Sequence, residues 1–352
     1  SRTFSFSCGT NVLVFLASAG TFFLMPFFLQ GVLNLSPQQT GLIFVPTTLT
    51  FAITGIISGR ISDKFGTTWP TIFGLTIIVL SGLVLSTLTE RSNYQTVIIG
   101  MSMQAFGMGM FFTPNSSIIL GAVNKKDYGI TTALINMIRN TTHIVGIAIT
   151  TSIISLIMLN NGFEPSLDID LSSPNAELIK KSFSDGMRLV FIASIFISSS
   201  ALLLSLLLNI GNSGIPKQKN WKFKLQDISW KKNLASMWLV RGFSGMGINF
   251  MYPFLPLFVR DLGIEDPGRA ALWAGAAIGV SGIPMFICGP IWGVLGDRFG
   301  RKRNALRAIF ATAAALFLMG LSTKVYHLVV LRFIYGVVTG VDATSNALIA
   351  ST

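Results

Sequence analysis

Charge is scarce in this chain. Asp, Glu, Lys and Arg make up only 11% of its 352 residues, where a soluble protein has about a quarter. That scarcity excludes a water-soluble globular protein, because too few polar side chains exist to cover a surface. Histidine and cysteine are rarer still, at two residues each. Cys8 and Cys288 both sit in apolar stretches, so neither a structural disulfide nor a cysteine metal site is expected. No Gly-x-x-x-x-Gly-Lys-Ser/Thr run occurs, which argues against ATP-driven pumping by this chain. The loops hold no paired carboxylates, metal-ligand cluster or nucleophile set, so no enzyme active site, metal or cofactor is expected. There is no initiator Met and no signal peptide. The chain opens SRTFSFSCGTNVLVFLASAG, already entering an apolar run, and ends SNALIAST, so it reads as a fragment.

Apolar residues are abundant. The chain is 51% hydrophobic, with 34 Gly and 28 Phe, and its mean hydropathy is +0.65. Lipid must cover such a surface, so an all-α polytopic membrane protein is expected, the bilayer being its first partner. Runs of about 20 apolar residues suffice to cross a bilayer as helices. Ten occur, at 8–31, 39–59, 68–88, 96–122, 133–158, 187–209, 234–258, 270–293, 305–323 and 326–348. An acidic, proline-containing loop separates the fifth from the sixth, and a basic stretch at 211–232 separates the sixth from the seventh.

The formal net charge is +12. The bases lie in short loops between apolar runs, which is the pattern of orientation signals and excludes a nucleic-acid groove. If the chain enters from the cytoplasm, sixteen bases fall on cytoplasmic segments and seven on outer ones. The acids run the other way, nine outside and four inside, with Asp342 within a span. Lys/Arg bias sets topology, so the opening residues and the linker 210–232 are expected in the cytoplasm.

The densest charge is in GVLGDRFGRKRN, Gly293 to Asn304, which packs one acid and four bases into twelve residues. A weaker copy, GRISDKFG, occurs at Gly59 to Gly66. The two match at Gly59 and Gly293, Asp63 and Asp297, Lys64 and Arg298, Phe65 and Phe299, and Gly66 and Gly300. Repeated bundles with a substrate site between them are a common transporter plan. The physical reading is that Gly293 and Gly300 allow close helix approach and a tight turn. Asp297 can then accept hydrogen bonds at a helix N-terminus or pair with Arg298 or Arg301. For Arg301, Lys302 and Arg303, fixing topology is an equal alternative.

GVLGDRFGRKRN resembles the signature loop of the major facilitator superfamily, Gly-x-Leu-Ala-Asp-Arg-x-Gly-Arg-Lys, departing at Gly296. Two further segments resemble the same family's proton-coupled drug antiporters. GMGINFMYPFLPLFVRDLG, 245–263, with Asn249, Pro253 and Pro256, is similar to their first helix, and LRFIYGVVTG, 331–340, to their fourth-helix motif. The stretches PFFLQGVLNLSPQQTGLIFVP, MGMFFTPNSSIILGAV and ITTALINMIRNTTHIVGIAITTSI resemble the last six helices of the fourteen-helix drug:proton antiporters. The resemblance implies three parts: 1–209, a C-terminal-type six-helix bundle; 210–232, a cytoplasmic linker; and 233–352, four helices of an N-terminal-type bundle, either as a fusion or as two joined partial genes. It implies that Gly293, Asp297, Arg298, Gly300 and Arg301, with Asp63 and Gly66 in the weaker copy, form a gating latch.

Charges inside spans are expensive and usually functional. Arg332 precedes Gly336 and Gly340 at one-turn intervals. The resemblance assigns it to proton coupling or substrate charge; the alternative is snorkelling to the interface. Asp342 is a possible proton carrier or a solvated carboxylate at a helix end. Arg139 and His143 share a helix face; His143 can titrate near physiological pH for proton coupling or be a packed, hydrogen-bonded histidine, and Arg139 can handle charge or snorkel to the cytoplasmic interface. Span four is rich in Met and Phe, and Gln104, Met108, Phe111 and Asn115, with Asn249, are candidates for a broad apolar substrate cavity or for plain helix packing. The function expected is secondary active transport: alternating access coupled to protons, exporting small lipophilic or cationic compounds across a bacterial or archaeal inner membrane. A non-transporting sensor or scaffold, or a facilitator importing a small solute, is the alternative.

Overall fold

A computed structural model describes residues 2–124, 127–163, 174–211, 236, 239, 251, 255, 258–264 and 267–339, with the backbone alone at 209–211, 267, 268, 271, 272, 286, 297 and 301. Nearly all of the linker 210–232, most of the expected span 234–258 including Asn249, and Asp342 lie outside the described residues. All regular structure among the described residues is helical: α1 Arg2–Phe27, continuing as a π-helical turn Phe28–Val32, α2 Pro37–Phe65, α3 Thr68–Leu85, α4 Tyr94–Gly121, α5 Tyr128–Asn160, α6 Ala176–Gly211, α7 Pro267–Phe299, α8 Arg301–Gly320 and α9 Val325–Val338. Six of these are long and apolar enough to cross a membrane, and α7 makes a seventh if its two limbs are one span. The molecule is a multi-pass membrane protein.

Local chemistry sets the helix starts. Ser36 Oγ accepts from the Gln39 N–H at 3.2 Å, and the Ser36 N–H donates to Gln39 Oε1 at 2.9 Å, with Pro37 in the first turn. This reciprocal pair satisfies donors that the first turn of α2 leaves open. Asn93 Oδ1 does the same for α4, accepting from the Gln95 N–H at 3.1 Å.

Two boundaries differ from the sequence expectation. The sixth span was expected from 187, yet α6 begins at Ala176 and runs 36 residues. That is about 54 Å of helix against a hydrocarbon core of about 30 Å. Glu177, Lys180, Lys181 and Arg188 are good helix formers, and Lys180 Nζ pairs with Glu177 Oε1 at 3.0 Å. An apolar-run criterion sees only the part of the helix that lipid touches. At the other end, α9 breaks at Thr339, which is extended at φ −66° and ψ 160°; the rest of the expected tenth span, 340–348, lies outside the described residues. A β-branched residue followed by glycine is a weak continuation.

The chain divides into two compact units, Ser1–Ala122 with Thr142–Asn220, and Val123–Thr141 with Trp221–Thr352. In the first, α4 packs on α1, α2 and α3, and α6 packs on α1 and α3. Leu24, Phe28, Met101, Phe183 and Phe191 form its main core. In the second, α7, α8 and α9 pack together around Ala274, Ala277, Met319, Leu328 and Tyr335.

The interior of the first unit is more polar than its surface along α2. Thr40, Thr47, Thr54, Ser58 and Ser62, with Ile43, are the buried stripe, while Leu42, Leu49, Ile53 and Ile56 are exposed. In lipid this inversion is expected, because tails solvate leucine and helix contacts go to small and hydroxyl side chains. Ser58 Oγ donates to the Met110 carbonyl of α4 at 3.0 Å. On α3 the approach is closer still: a Cβ at Gly74 would lie 2.7 Å from the Gly107 carbonyl.

Candidate functional site

The two charged loops turn in a similar way, at a positive-φ glycine directly after the helix. α2 ends at Phe65 and Gly66 turns at φ +90°; α7 ends at Phe299 and Gly300 turns at φ +103°. L side chains rarely adopt these angles, which explains a glycine at both. The Gly66 N–H donates to the Ser62 carbonyl at 2.9 Å, and the Gly300 N–H to Gly296 at 3.1 Å. Even the cation–ring contact repeats, with Lys64 Nζ 5.2 Å from the Phe65 ring and Arg298 Cζ 5.7 Å from Phe299. Asp63 and Arg298 are exposed. The side chains of Asp297 and Arg301 lie outside the described ones.

What meets the first glycine of each loop differs. A Cβ at Gly59 would have only Thr113 Cγ2 nearby, at 3.6 Å. At Gly293 it would lie 3.0 Å from the Gly129 carbonyl and 3.3 Å from Ala133 Cβ. Gly293 therefore brings α7 against the backbone of the first turns of α5. Further along the same pair, Asn140 Nδ2 reaches Met285 Sδ at 3.9 Å.

Arg332 is fully enclosed, at 0% exposure, with its guanidinium carbon 5.8 Å from the Tyr335 ring. One turn on, a Cβ at Gly336 would run into the Ser281 carbonyl and would lie 2.6 Å from Pro284 Cγ. The glycine thus seats α9 directly on α7 beside the buried charge. Gly340 and Asp342 lie outside the described residues. Arg139 and His143 are one turn apart on α5 and both half-buried.

The α4 candidates face other helices of the first unit. Gln104 Nε2 donates to Ser18 Oγ at 2.7 Å, and Ser81 Oγ hydrogen-bonds to Gln104 Oε1. Ser18 Oγ in turn reaches Met108 Sδ at 3.3 Å. This network ties α1, α3 and α4 together with every polar partner neutral. Phe111 is fully buried, and Asn115 Nδ2 donates to the Ser7 carbonyl at 3.3 Å. Nearby on α1, both polar atoms of the Asn11 amide and the Ser7 hydroxyl are buried without a partner. Among the described residues no group of His, Cys, Asp and Glu could hold a metal.

The sequence model described as Major Facilitator Superfamily matches residues 8–286 and again residues 237–352. The chain belongs to the Major Facilitator Superfamily. Among solved structures of that superfamily, the transporter FucP in the outward conformation superposes with a TM-score of 0.71 at 19% identity, over 99% of this chain and 88% of FucP. The proton:xylose symporter XylE gives 0.64 at 15%, over 98% and 81%. These likenesses concern the fold. Curated relatives match over a shorter stretch. The multidrug resistance protein MdtG of Proteus mirabilis is 38% identical over 128 residues, 36% of this chain and 32% of MdtG. The multi-drug resistance efflux pump PmrA of Streptococcus pneumoniae serotype 4 is 37% identical over 127 residues, again 36% and 32%. The chain thus matches about a third of the length of these curated relatives.

Within this Major Facilitator Superfamily chain, sequence reasoning passed over one cluster. Trp292, Asn304 and Arg307 converge beside the signature loop, with the Arg307 guanidinium carbon 3.3 Å from the centre of the Trp292 ring. From sequence Arg307 reads only as one of the sixteen cytoplasmic-side bases. Its spacing of three from Asn304 is the one sequence signal that both point the same way.

Proposed function

We propose that the chain is part of a secondary active transporter that exports small lipophilic or cationic compounds in exchange for protons, by alternating access. The observation that carries this reading is the loop Gly293–Asn304, built on a positive-φ glycine and seated through Gly293 on the backbone of α5, in a chain whose curated relatives include a multidrug resistance protein and a multi-drug resistance efflux pump. In this reading Asp297, Arg298 and Arg301 form a latch that closes the cytoplasmic side and breaks when it opens. Arg332, held without exposure against α7, handles proton or substrate charge. Asp342, Arg139 and His143 are further candidates for proton movement. The unpartnered Asn11 amide, one turn along α1 from the Ser7 carbonyl that Asn115 reaches, supports a polar interior within the first unit.

The three-part organisation, a six-helix bundle over 1–209, a cytoplasmic linker over 210–232 and four helices of a second bundle over 233–352, belongs to the same proposal. Two overlapping matches to one family support it. The setting is a bacterial inner membrane, and the partners are a small-molecule substrate and the proton.

The test is ethidium accumulation by inverted vesicles carrying the chain. Uptake that collapses on adding a protonophore is the expected result. Uptake indifferent to the protonophore removes the proton coupling. No uptake above empty vesicles, with the protein present in the membrane, favours a non-transporting role for the fold.

A further inference from the structure

We infer that Trp292 and Arg307 form a clamp that fixes the loop-bearing end of α7 to α8 and α9, so that the signature loop is braced by contacts made outside its own turn. Four contacts make the clamp. The Arg307 guanidinium lies on the Trp292 indole at 3.3 Å. Arg307 Nε donates to Asn304 Oδ1 at 3.1 Å, and Asn304 Nδ2 donates to the Trp292 carbonyl at 2.8 Å. The indole Nε1 donates to the Val337 carbonyl at 2.7 Å. Three helices are joined through one aromatic ring.

Each contact answers a local need. α9 ends at Val338 with the Thr339 N–H on the Tyr335 carbonyl, and the carbonyls after Tyr335 are those that a helix end leaves without a donor. The indole N–H supplies one. A guanidinium this close to an apolar span normally extends to water or headgroups; here it stacks on a ring face, which attracts it electrostatically. Arg307 Nη2 is buried without a hydrogen-bond partner, consistent with a group committed to the ring.

The position of the clamp gives it a consequence. α7 bends by 44° between the limbs Trp273–Met285 and Ile287–Gly296, with Pro284 and Pro290 inside the helix. Proline removes a helix hydrogen bond and crowds the preceding turn, so the upper limb does not dictate where the lower one points. The lower limb holds Trp292 and Gly293 side by side. Consecutive helical residues face about 100° apart, so one limb presents Gly293 to α5 and Trp292 to α8 and α9 at once. Releasing the clamp frees the limb that bears Gly293, Asp297 and Arg298.

Native Cys288 is the reporter. It precedes Trp292 by one turn on the same face and is half-buried. The experiment uses the full chain carrying Cys8→Ser in lipid vesicles, and follows alkylation of Cys288 by N-ethylmaleimide with mass spectrometry. Trp292→Phe keeps a ring but loses the N–H; Arg307→Lys keeps the charge but loses the flat stack. Each is expected to raise the alkylation rate about fivefold through local opening. The double variant is expected to be no faster than the faster single one, because both break one interaction. Lys302→Ala, at an exposed neighbouring base, is expected to change nothing. Rates within twofold of the parent in both single variants overturn the clamp, as do increases that multiply in the double. If Arg307→Lys does not accumulate, Trp292→Phe decides by the same threshold. The functional importance of the clamp rests on the proposed gating role of the loop, but the alkylation readout does not. Failure of ethidium transport in the parent therefore sinks that role and leaves the clamp result standing.

Discussion

Ser58 and Trp292 stand at matched positions, each one residue before the first glycine of its loop, and each donates to a backbone carbonyl two helices on. Ser58 Oγ reaches Met110 of α4 and Trp292 Nε1 reaches Val337 of α9. The turn glycines, the last hydrogen bond of the helix and the cation–ring contact also repeat between the copies. Beyond the backbone they part. In the second copy Arg307 lies on Trp292. The matched place in the first copy is Phe73, which stacks on Trp69 at 5.3 Å. Gly293 presses on the α5 backbone, whereas Gly59 meets one methyl group. A short motif thus specifies a turn, and its surroundings decide whether that turn is braced.

The comparison can be broken most severely through the acids. Under the latch reading, Asp297→Asn is expected to lower ethidium transport at least about tenfold, the scale of losing a charge-assisted contact, while Asp63→Asn stays within about twofold. Equal losses from both would show that the two loops do the same work. Next come the first glycines. Gly293→Val forces a branched side chain onto the Gly129 carbonyl and is expected to cost about 3 kcal/mol in reversible unfolding, the upper end of overpacking. Gly59→Val has room and is expected to cost less than about 1 kcal/mol; a Gly59 cost as large would mean that packing at the two glycines is equivalent.

The turn glycines should instead agree. Gly66→Ala and Gly300→Ala each place a Cβ at positive φ without a clash and are expected to cost about 1 kcal/mol. A difference above about 1 kcal/mol in thermal stability would mean that the shared backbone is not the source of the strain. The smallest effect belongs to Ser58→Ala, which removes one interhelical hydrogen bond worth about 0.6 kcal/mol. A loss several times larger would show that α2 depends on Ser58 much as α7 is argued to depend on Trp292.

Much of the fold was legible because lipid imposes a coarse rule on sequence. Nine of the ten apolar runs lie on helices that are described in full or in large part, and both charged loops fall at helix ends with glycine in the turn. The α6 extension was not legible, since its charged turns leave the apolar run while continuing to form helix. The α4 candidates were legible as residues that face inward. Whether a Met or Phe in a span looks into a cavity or into a neighbouring helix is not written in its type; the contacts of Gln104 and Met108 with Ser18 come from the crossing of α1 and α4.

By itself the sequence determined that this chain lives in a bilayer, where its helices start and stop to within a few turns, and which two loops share a turn. These follow from local chemistry: hydropathy over a span, caps, and glycine where φ is positive. Only the tertiary structure decided that Arg332 is enclosed, that hydroxyls rather than leucines fill the α2 interface, and that Arg307 stacks on an indole fifteen residues before it. Those outcomes depend on which helix faces meet, and in lipid apolarity does not choose the face. Close approach of small residues and the pairing of polar groups choose it, and both are properties of two helices together.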